Sequence, residues 1–234
     1  MQSVTKKQMI ELDRLMLEEY GISLAVMMEN AGKGLAEFVR SKYSEVENIV
    51  VLAGSGNNGG GGMVSARHLA NWGKSVEVII VTKGYKDTAL EQLQALEHTS
   101  ANITESSELS SSEINKILNE SDVVIDALLG YSVQGAPKGE VKRLIDLANT
   151  SRKPIVSLDL PSGLSPDKGA IEKPIIIAGA TLTIAFPKKS FFVEGASKYV
   201  GKLFVVDISV PREWYKEHGA EDLFKNGFIA ELFK

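Results

Sequence analysis

The chain has 234 residues, of which 44% are hydrophobic and 24% are charged, and this composition is typical of a globular protein. Its formal net charge of −4 argues against nucleic acid as a partner, because phosphate binding needs clustered lysine and arginine. The absence of cysteine excludes disulfide bonds, thiolate catalysis and zinc sites with sulfur ligands. We expect residues 1–234 to form a single domain.

We expect no secretory signal peptide at the start of the chain. Residues Met1 to Lys7 lack the apolar core of a signal peptide. No uninterrupted apolar run approaches the roughly 20 residues that span a bilayer. We therefore expect a cytoplasmic protein that does not enter a membrane.

Two amphipathic helices are predicted at the beginning of the chain. Thr5 and Gln8 match a capping box, and Ser23 can cap the second helix. Apolar residues then recur at helical spacing, which predicts that both helices pack on a core. The first helix carries this stripe on Met9, Leu12 and Met16, and the second on Leu24, Met27, Met28, Ala31, Leu35 and Phe38.

Strands and helices then alternate along the chain. Short apolar runs predict strands over residues 49–53, 76–81, 123–126, 155–159, 180–186 and 203–208. Helices are predicted over 63–72, around 90–96, over 141–148 and near 175–178. This order is typical of an α/β, Rossmann-like, doubly wound and mostly parallel sheet. The two N-terminal helices are extra to that fold.

A glycine-rich loop, Gly54–Gly62, follows the first predicted strand. Gly54, Gly56 and Gly59 match the G-x-G-x-x-G pattern of dinucleotide sites, which is a weak signal by itself. An ordinary dehydrogenase would carry an acid at the end of the second strand to bind ribose, and Val81–Gly84 has none. The pattern therefore leaves two interpretations, an anion-binding loop before a helix and a tight turn with no ligand.

Polar residues follow three of the predicted strands. Asn57 and Asn58 follow the first strand, Asp126 ends the third, and the segment Asp159–Gly163 ends the fourth. Ligands of open α/β sheets bind beyond the carboxyl ends of the strands, so these residues predict one shared site. The amides, Asp126 and the hydroxyl of Ser162 form an oxygen-only set that favours a hard, monovalent cation over zinc or copper.

Two other polar residues are interpreted as surface or packing residues. His68 lies in the helix after the loop, beside Leu69 and Trp72. Lys188 follows the strand over 180–186 and is expected to be solvated, although a phosphate contact is the alternative.

Three segments together resemble the YjeF N-terminal domain family. They are Ala53–Gly60, with the sequence AGSGNNGG, then Val124–Gly130 and Leu158–Leu164. The resemblance covers nearly the whole chain. It implies an NAD(P)H-hydrate epimerase, an isomerase that interconverts the R and S forms of hydrated NADH and NADPH. It also implies a separate dehydratase acting downstream, since the chain stops at Lys234, and a homodimer.

The resemblance also implies the site residues. One potassium ion per subunit would bind Asn58, Asp126 and Ser162. The hydrated nucleotide would bind Asn57, Asn58, Gly59, Gly60, Gly61, Gly130, Tyr131, Ser132, Val133, Gln134, Gly135, Ala136 and Asp159.

Two residues, Asp159 and Gly61, each leave two interpretations of function open. Epimerisation breaks and remakes a bond at the hydrated carbon and needs a general acid or base, for which Asp159 is the candidate. The alternative is that Asp159 only hydrogen-bonds the ligand. The family's usual loop has an aspartate where this chain has Gly61, which raises a second hypothesis, a non-catalytic nucleotide-binding or scaffold module of the same fold.

Overall fold

A computed structural model describes residues 2–82, 84–85, 87–132, 135–169 and 173–232 of the chain. Its helices are α1 (Lys6–Glu18), α2 (Leu24–Lys42), α3 (Asn57–Asn71), α4 (Asp87–Leu96), α5 (Ser111–Glu120), α6 (Gly139–Ser151), α7 (Ser197–Val200) and α8 (Arg212–Glu217). Its strands are β1 (Asn48–Ala53), β2 (Ser75–Ile80), β3 (Asn102–Glu105), β4 (Val123–Ala127), β5 (Ile155–Leu158), β6 (Ala180–Ile184), β7 (Lys202–Val206) and β8 (Ile229–Glu231).

The described strands form one sheet of order β3-β2-β1-β4-β5-β6-β7-β8. Every neighbouring pair is parallel except β7 and β8, which are antiparallel. The strand order reverses between β1 and β4, so the chain winds outward in both directions from that point. The predicted Rossmann-like, doubly wound α/β fold is therefore confirmed.

The sheet is covered on both faces. Val51 and Ile125 face a core that includes Leu35 of α2 and Met63 of α3. Because successive side chains of a strand point to opposite faces, the residues next to Val51 and Ile125 in each strand point to the other face of the sheet. There Val50, Leu52 and Val124 pack against residues of α5 and α6, namely Ile114, Leu118, Leu144 and Ile145.

The first two helices form as predicted. Thr5 and Gln8 make the capping box of α1, and the Ser23 hydroxyl accepts a hydrogen bond from the Val26 backbone at the start of α2. The buried residues of α1, Met9, Leu12 and Met16, pack in a cluster with Phe186 and Ile208. Helix α1 therefore lies over the carboxyl ends of β6 and β7.

Helix α3 begins earlier than predicted. Its first residue is Asn57, so Gly59 to Gly62 belong to the helix and not to the loop before it. The glycines allow close packing: a Cβ on Gly59 would lie 1.8 Å from the carbonyl oxygen of Gly54, and a Cβ on Gly54 would lie 1.8 Å from that of Leu128. Tertiary packing thus overcomes the low helix propensity of glycine.

Other elements also differ from expectation. Strands β3 and β8 and helices α5 and α7 were not predicted, since their short apolar patterns are weak. Residues 175–178, predicted as helical, have no regular secondary structure. The side-chain amide of Asn149 bonds both the Ile175 carbonyl (2.9 Å) and the Ile177 N–H (2.9 Å), which satisfies backbone groups that a helix would otherwise pair.

Within the described ranges, no helix is long and apolar enough to cross a membrane.

The close contact at Gly54 gives a stability prediction. We expect Gly54→Ala to lower the free energy of unfolding by about 3 kcal/mol, because the new methyl group meets backbone that must shift. Gly179→Ala is the matched control: its Cβ would lie 3.7 Å from the nearest atom, an ordinary contact. Urea denaturation of both variants measures the difference, and equal stabilities would contradict the packing argument.

Candidate functional site

The carboxyl ends of β1, β4 and β5 meet where the strand order reverses. A cavity of about 290 Å³ opens there. Two of its walls come from α1 and α2, through Met9, Asp13, Leu24, Met27, Met28 and Ala31. The strand ends and the start of α3 supply Ser55, Gly56, Asn57, Asn58, Gly61, Leu128, Leu129, Gly130, Tyr131, Ser132, Leu158 and Asp159, and Val141, Ile184 and Ile208 complete the lining.

The start of α3 presents backbone N–H groups to this cavity. Its N-cap, Gly56, makes no side-chain cap hydrogen bond within the described part of the chain. The first N–H groups of a helix have no partner inside the helix, and together with the helix dipole they attract anions. Asn57 in the first turn is exposed, and Asn58 is half-buried. This end of the cavity is therefore suited to a phosphate group.

The carboxylate of Asp126 is fully buried at the end of β4. It accepts hydrogen bonds from the Ser157 hydroxyl (2.7 Å), the Ser162 hydroxyl (2.5 Å) and the backbone N–H groups of Ser162 (2.9 Å) and Leu128 (3.3 Å). Burial raises the pKa of Asp126, and these hydrogen bonds oppose the shift. The partners of this buried acid are thus hydroxyls of β5 and the loop after it, together with backbone N–H groups of that loop and of Leu128, which follows β4.

Asn58 lies beside the same loops. Its amide Nδ2 donates to the carbonyl oxygens of Leu129 (3.0 Å) and Leu158 (3.3 Å). Its Oδ1 is buried and finds no hydrogen-bond partner among the described residues. An unpaired buried oxygen next to two carbonyl groups is an arrangement that a cation can satisfy. The described residues contain no cluster of three or more histidine, cysteine or acidic side chains that could bind a metal.

Asp159 lies directly after β5 and is 2% exposed. Its backbone has φ 69°, a left-handed conformation that turns the chain sharply at the strand end. One carboxylate oxygen accepts a hydrogen bond from the Tyr131 backbone N–H (3.1 Å), and the other forms an ion pair with the ammonium of Lys188.

Lys188 is not a solvated surface residue, so that prediction was wrong. Its side chain is fully buried, and its ammonium also donates to Thr183 Oγ1 (3.0 Å) and the Ile184 carbonyl (3.0 Å). Together with Asp159, these contacts use all three of its donors. The signal that was missed is its position, since Lys188 follows the strand next to β5 at the same edge of the sheet.

A second carboxylate of the cavity, Asp13 on α1, was not predicted. It is half-buried and accepts a hydrogen bond from the Tyr131 hydroxyl. Burial raises its pKa, and the hydrogen bond from Tyr131 opposes the shift. Burial also raises the pKa of Tyr131, as does the charge of Asp13. In the sequence, the only signal is an acid that interrupts an apolar helical stripe one position after Leu12.

The remaining candidate residues divide into four groups. Gly130, Tyr131 and Ser132 line the cavity, as does Gly61. Gly59 and Gly60 are buried in α3, and Gly135 and Ala136 lie beyond the lining residues. Val133 and Gln134 lie outside the described residues.

His68 is a packing residue, as interpreted from the sequence. Its Nε2 lies 2.7 Å from Glu29 Oε1, and its ring packs against Trp72 with 5.4 Å between ring centroids. Glu29 also pairs with Arg67, so these side chains join α2 to α3. Glu29, Arg67 and His68 are not among the residues that line the cavity.

Comparison with known proteins gives one family match, two similar sequences and one similar structure. The model of the family described as YjeF-related protein N-terminus matches residues 24–190. An NAD(P)H-hydrate epimerase of Dehalogenimonas lykanthroporepellens is 36% identical over 231 residues, covering 97% of this chain and 89% of that protein. A bifunctional NAD(P)H-hydrate repair enzyme Nnr of Moorella thermoacetica is 37% identical over 90% of this chain, which spans 41% of that longer enzyme. The crystal structure of yeast ynu0 has a TM-score of 0.86 and 25% identity, with 99% of this chain and 100% of that one covered.

The buried ion pair gives a second stability prediction. Lys188→Met leaves Asp159 as an uncompensated buried charge, and we expect it to lower the free energy of unfolding by about 3–5 kcal/mol. The double variant Lys188→Met/Asp159→Leu removes that charge and should recover much of the loss. Chemical denaturation of the three proteins measures these changes.

The control for this cycle is Lys142→Met. Lys142 pairs with Asp146 on the surface, where the side chains are 55% and 48% exposed. Its loss should change the unfolding free energy by less than about 1 kcal/mol. A Lys188→Met variant as stable as this control would contradict the buried pair.

Proposed function

This chain belongs to the family of YjeF-related protein N-termini, and we propose from that premise that it is an NAD(P)H-hydrate epimerase. Its substrates would be the R and S forms of hydrated NADH and NADPH. The observation that carries the proposal is the cavity at the switch point, which joins a helix N-terminus to two carboxyl groups. These are the groups that a charged dinucleotide with a reactive carbinolamine needs.

The two ends of the cavity are assigned to two parts of the substrate, the pyrophosphate and the hydrated nicotinamide ring. At about 290 Å³ it lies at the lower end of small-molecule sites, so it would hold only part of a dinucleotide. The N–H groups at the start of α3 favour the pyrophosphate near Asn57. The hydrated nicotinamide ring would then lie toward Asp159 and Tyr131, between apolar side chains such as Met28.

The residues around Asn58 fit a potassium ion. The unpaired Oδ1 of Asn58, the carboxylate of Asp126 and the hydroxyl of Ser162 are all oxygen donors. One carboxylate among neutral oxygens suits a single positive charge better than a double one. When bound, the ion would offset the buried charge of Asp126 and hold the loops after β4 and β5 together.

Asp159 is proposed as the proton-transfer group. Its carboxylate pairs with Lys188 and accepts a hydrogen bond from the Tyr131 N–H, which hold it at the cavity, where it can accept a proton from water that attacks the ring carbon. Loss of the hydroxyl group gives a cationic ring that water can attack from either face, which interconverts the R and S forms. The alternative, that Asp159 only hydrogen-bonds the substrate, predicts normal turnover without its charge.

Gly61 does not exclude this activity. A Cβ on Gly61 would lie 2.8 Å from Leu158 Cδ2, so the Leu158 side chain occupies the space that a larger residue would need. The carboxyl groups of Asp126 and Asp159 remain in the site. The relatives cited above carry epimerase or repair-enzyme names, and neither name favours the non-catalytic alternative.

Two partners are proposed. A dehydratase that accepts one of the two forms would act downstream of the epimerase. We also propose a homodimer formed through α1 and α2, since Ile10, Leu17 and Val26 of these helices are 52%, 46% and 47% exposed.

Epimerisation can be measured directly. With R-NADHX and an S-specific dehydratase, we expect the protein to restore NADH faster than the control without protein. Asp159→Asn should lower kcat by about 100-fold while the protein still binds the nucleotide, because a proton-transfer group is lost. Full activity of Asp159→Asn would leave it only a binding role, and a wild-type rate equal to the control would favour the non-catalytic module.

Potassium binding can be measured without turnover. Potassium at 100 times its Kd should add about 2.7 kcal/mol of stability, and each kcal/mol should raise Tm by about 2–4 °C in a chain of this size. We expect the shift to disappear in Asn58→Leu and to persist in Ser157→Ala, which touches Asp126 but is not a proposed ligand. Equal shifts with potassium and lithium in the wild type would argue against the site.

A further inference from the structure

We propose that Asp13 of α1 is a second catalytic residue, the general acid that protonates the departing hydroxyl group of the hydrated nicotinamide ring. This assignment rests on the proposed epimerase function. It adds a residue of the first helix to a site otherwise built from strand ends.

The lining of the cavity singles out Asp13. Among the described lining residues, Asp13 and Asp159 are the two that carry a carboxyl group. They come from different walls, Asp13 from α1 and Asp159 from the end of β5. Helices α1 and α2 otherwise contribute only apolar residues to this cavity, so Asp13 is their single ionisable group there.

One tyrosine joins the two acids. The Tyr131 hydroxyl donates to Asp13 Oδ2, and the Tyr131 backbone N–H donates to Asp159 Oδ2. Tyr131 therefore bridges the two carboxyl groups, with one hydrogen bond to each. The described residues donate no hydrogen bond to Asp13 Oδ1, which leaves that oxygen available to a ligand.

The two acids have different surroundings. Asp159 is paired with the ammonium of Lys188. Among the described residues, the direct partner of Asp13 is the Tyr131 phenol, and burial raises the pKa of Asp13, with a smaller rise from the charge of Asp159. The hydrogen bond from Tyr131 and the charge of Lys188 oppose this rise. Pairs of carboxyl groups in unlike environments commonly divide the roles of acid and base.

The step balances with these two groups. The carboxylic acid of Asp13 gives its proton to the hydroxyl group, the carbon–oxygen bond breaks, and water leaves. The lone pair of the ring nitrogen forms a carbon–nitrogen double bond. Water then adds to the other face, its proton passes to the carboxylate of Asp159, and the electron pair returns to nitrogen. Exchange with solvent restores both carboxyl groups, and the reverse reaction exchanges their roles.

Steady-state kinetics of the full chain with R-NADHX test this assignment. We expect Asp13→Asn to lower kcat by about 100-fold with KM within about threefold of wild type. Glu11→Gln, an exposed position on the same helix, is the matched control and should keep wild-type kcat. If the wild type is active and Asp13→Asn keeps a kcat within about threefold of the wild-type value, the role of Asp13 is overturned and the epimerase function stands. An inactive wild type would overturn the epimerase function and this role together.

The pH dependence of wild-type kcat gives a test that needs no variant. A general acid acts only when protonated, so kcat should fall as the pH rises through the pKa of Asp13 in the complex. Asp13→Asn cannot titrate, and its residual rate should lack that fall. A wild-type kcat without such a fall over the pH range in which the protein stays folded would overturn the proposal.

Discussion

The buried carboxylate of Asp126 holds the site together. It ends β4 and accepts hydrogen bonds from Ser157 on β5 and from Ser162 in the following loop. A charge without water is costly unless it is paired, so each donor must stay in place for the fold to tolerate it. The loops after β4 and β5 are thereby held at one separation. The cavity depends on that separation, because Gly130 and Asp159 lie on these two loops.

The two other acids of the site, Asp159 at the sheet edge and Asp13 on α1, have different environments. Asp159 is matched by a buried cation, whereas Asp13 is half-buried and has a phenol for a partner. Three carboxyl groups near one cavity therefore differ in what stabilises them: backbone and hydroxyl donors, an ammonium group, and a tyrosine. A common sheet edge brings acids together, and their different partners allow different roles in binding and proton transfer.

Much of the fold was predictable because its signals are local. Fully apolar runs such as Ile49–Ala53 identify buried parallel strands, and Thr5 with Gln8 identifies the start of a helix. The alternation of these elements leads to a doubly wound sheet, and polar residues after three strands mark the site. Prediction failed where tertiary packing overruled local propensity. The four glycines Gly59 to Gly62 are helical, and a Cβ on any of them would lie within 2.8 Å of Gly54, Met28, Leu158 or Ala127.

The sequence by itself determined most element types, the class of fold and the edge of the sheet at which the candidate site lies, because the spacing of apolar residues and the residues after each strand are visible without coordinates. Only the tertiary structure decided the partners of the polar groups. Lys188 was expected in solvent and is buried against Asp159. Asp13 meets Tyr131 across 118 residues of chain. Such pairs depend on how distant segments pack, and neither residue carries a local pattern that specifies its partner.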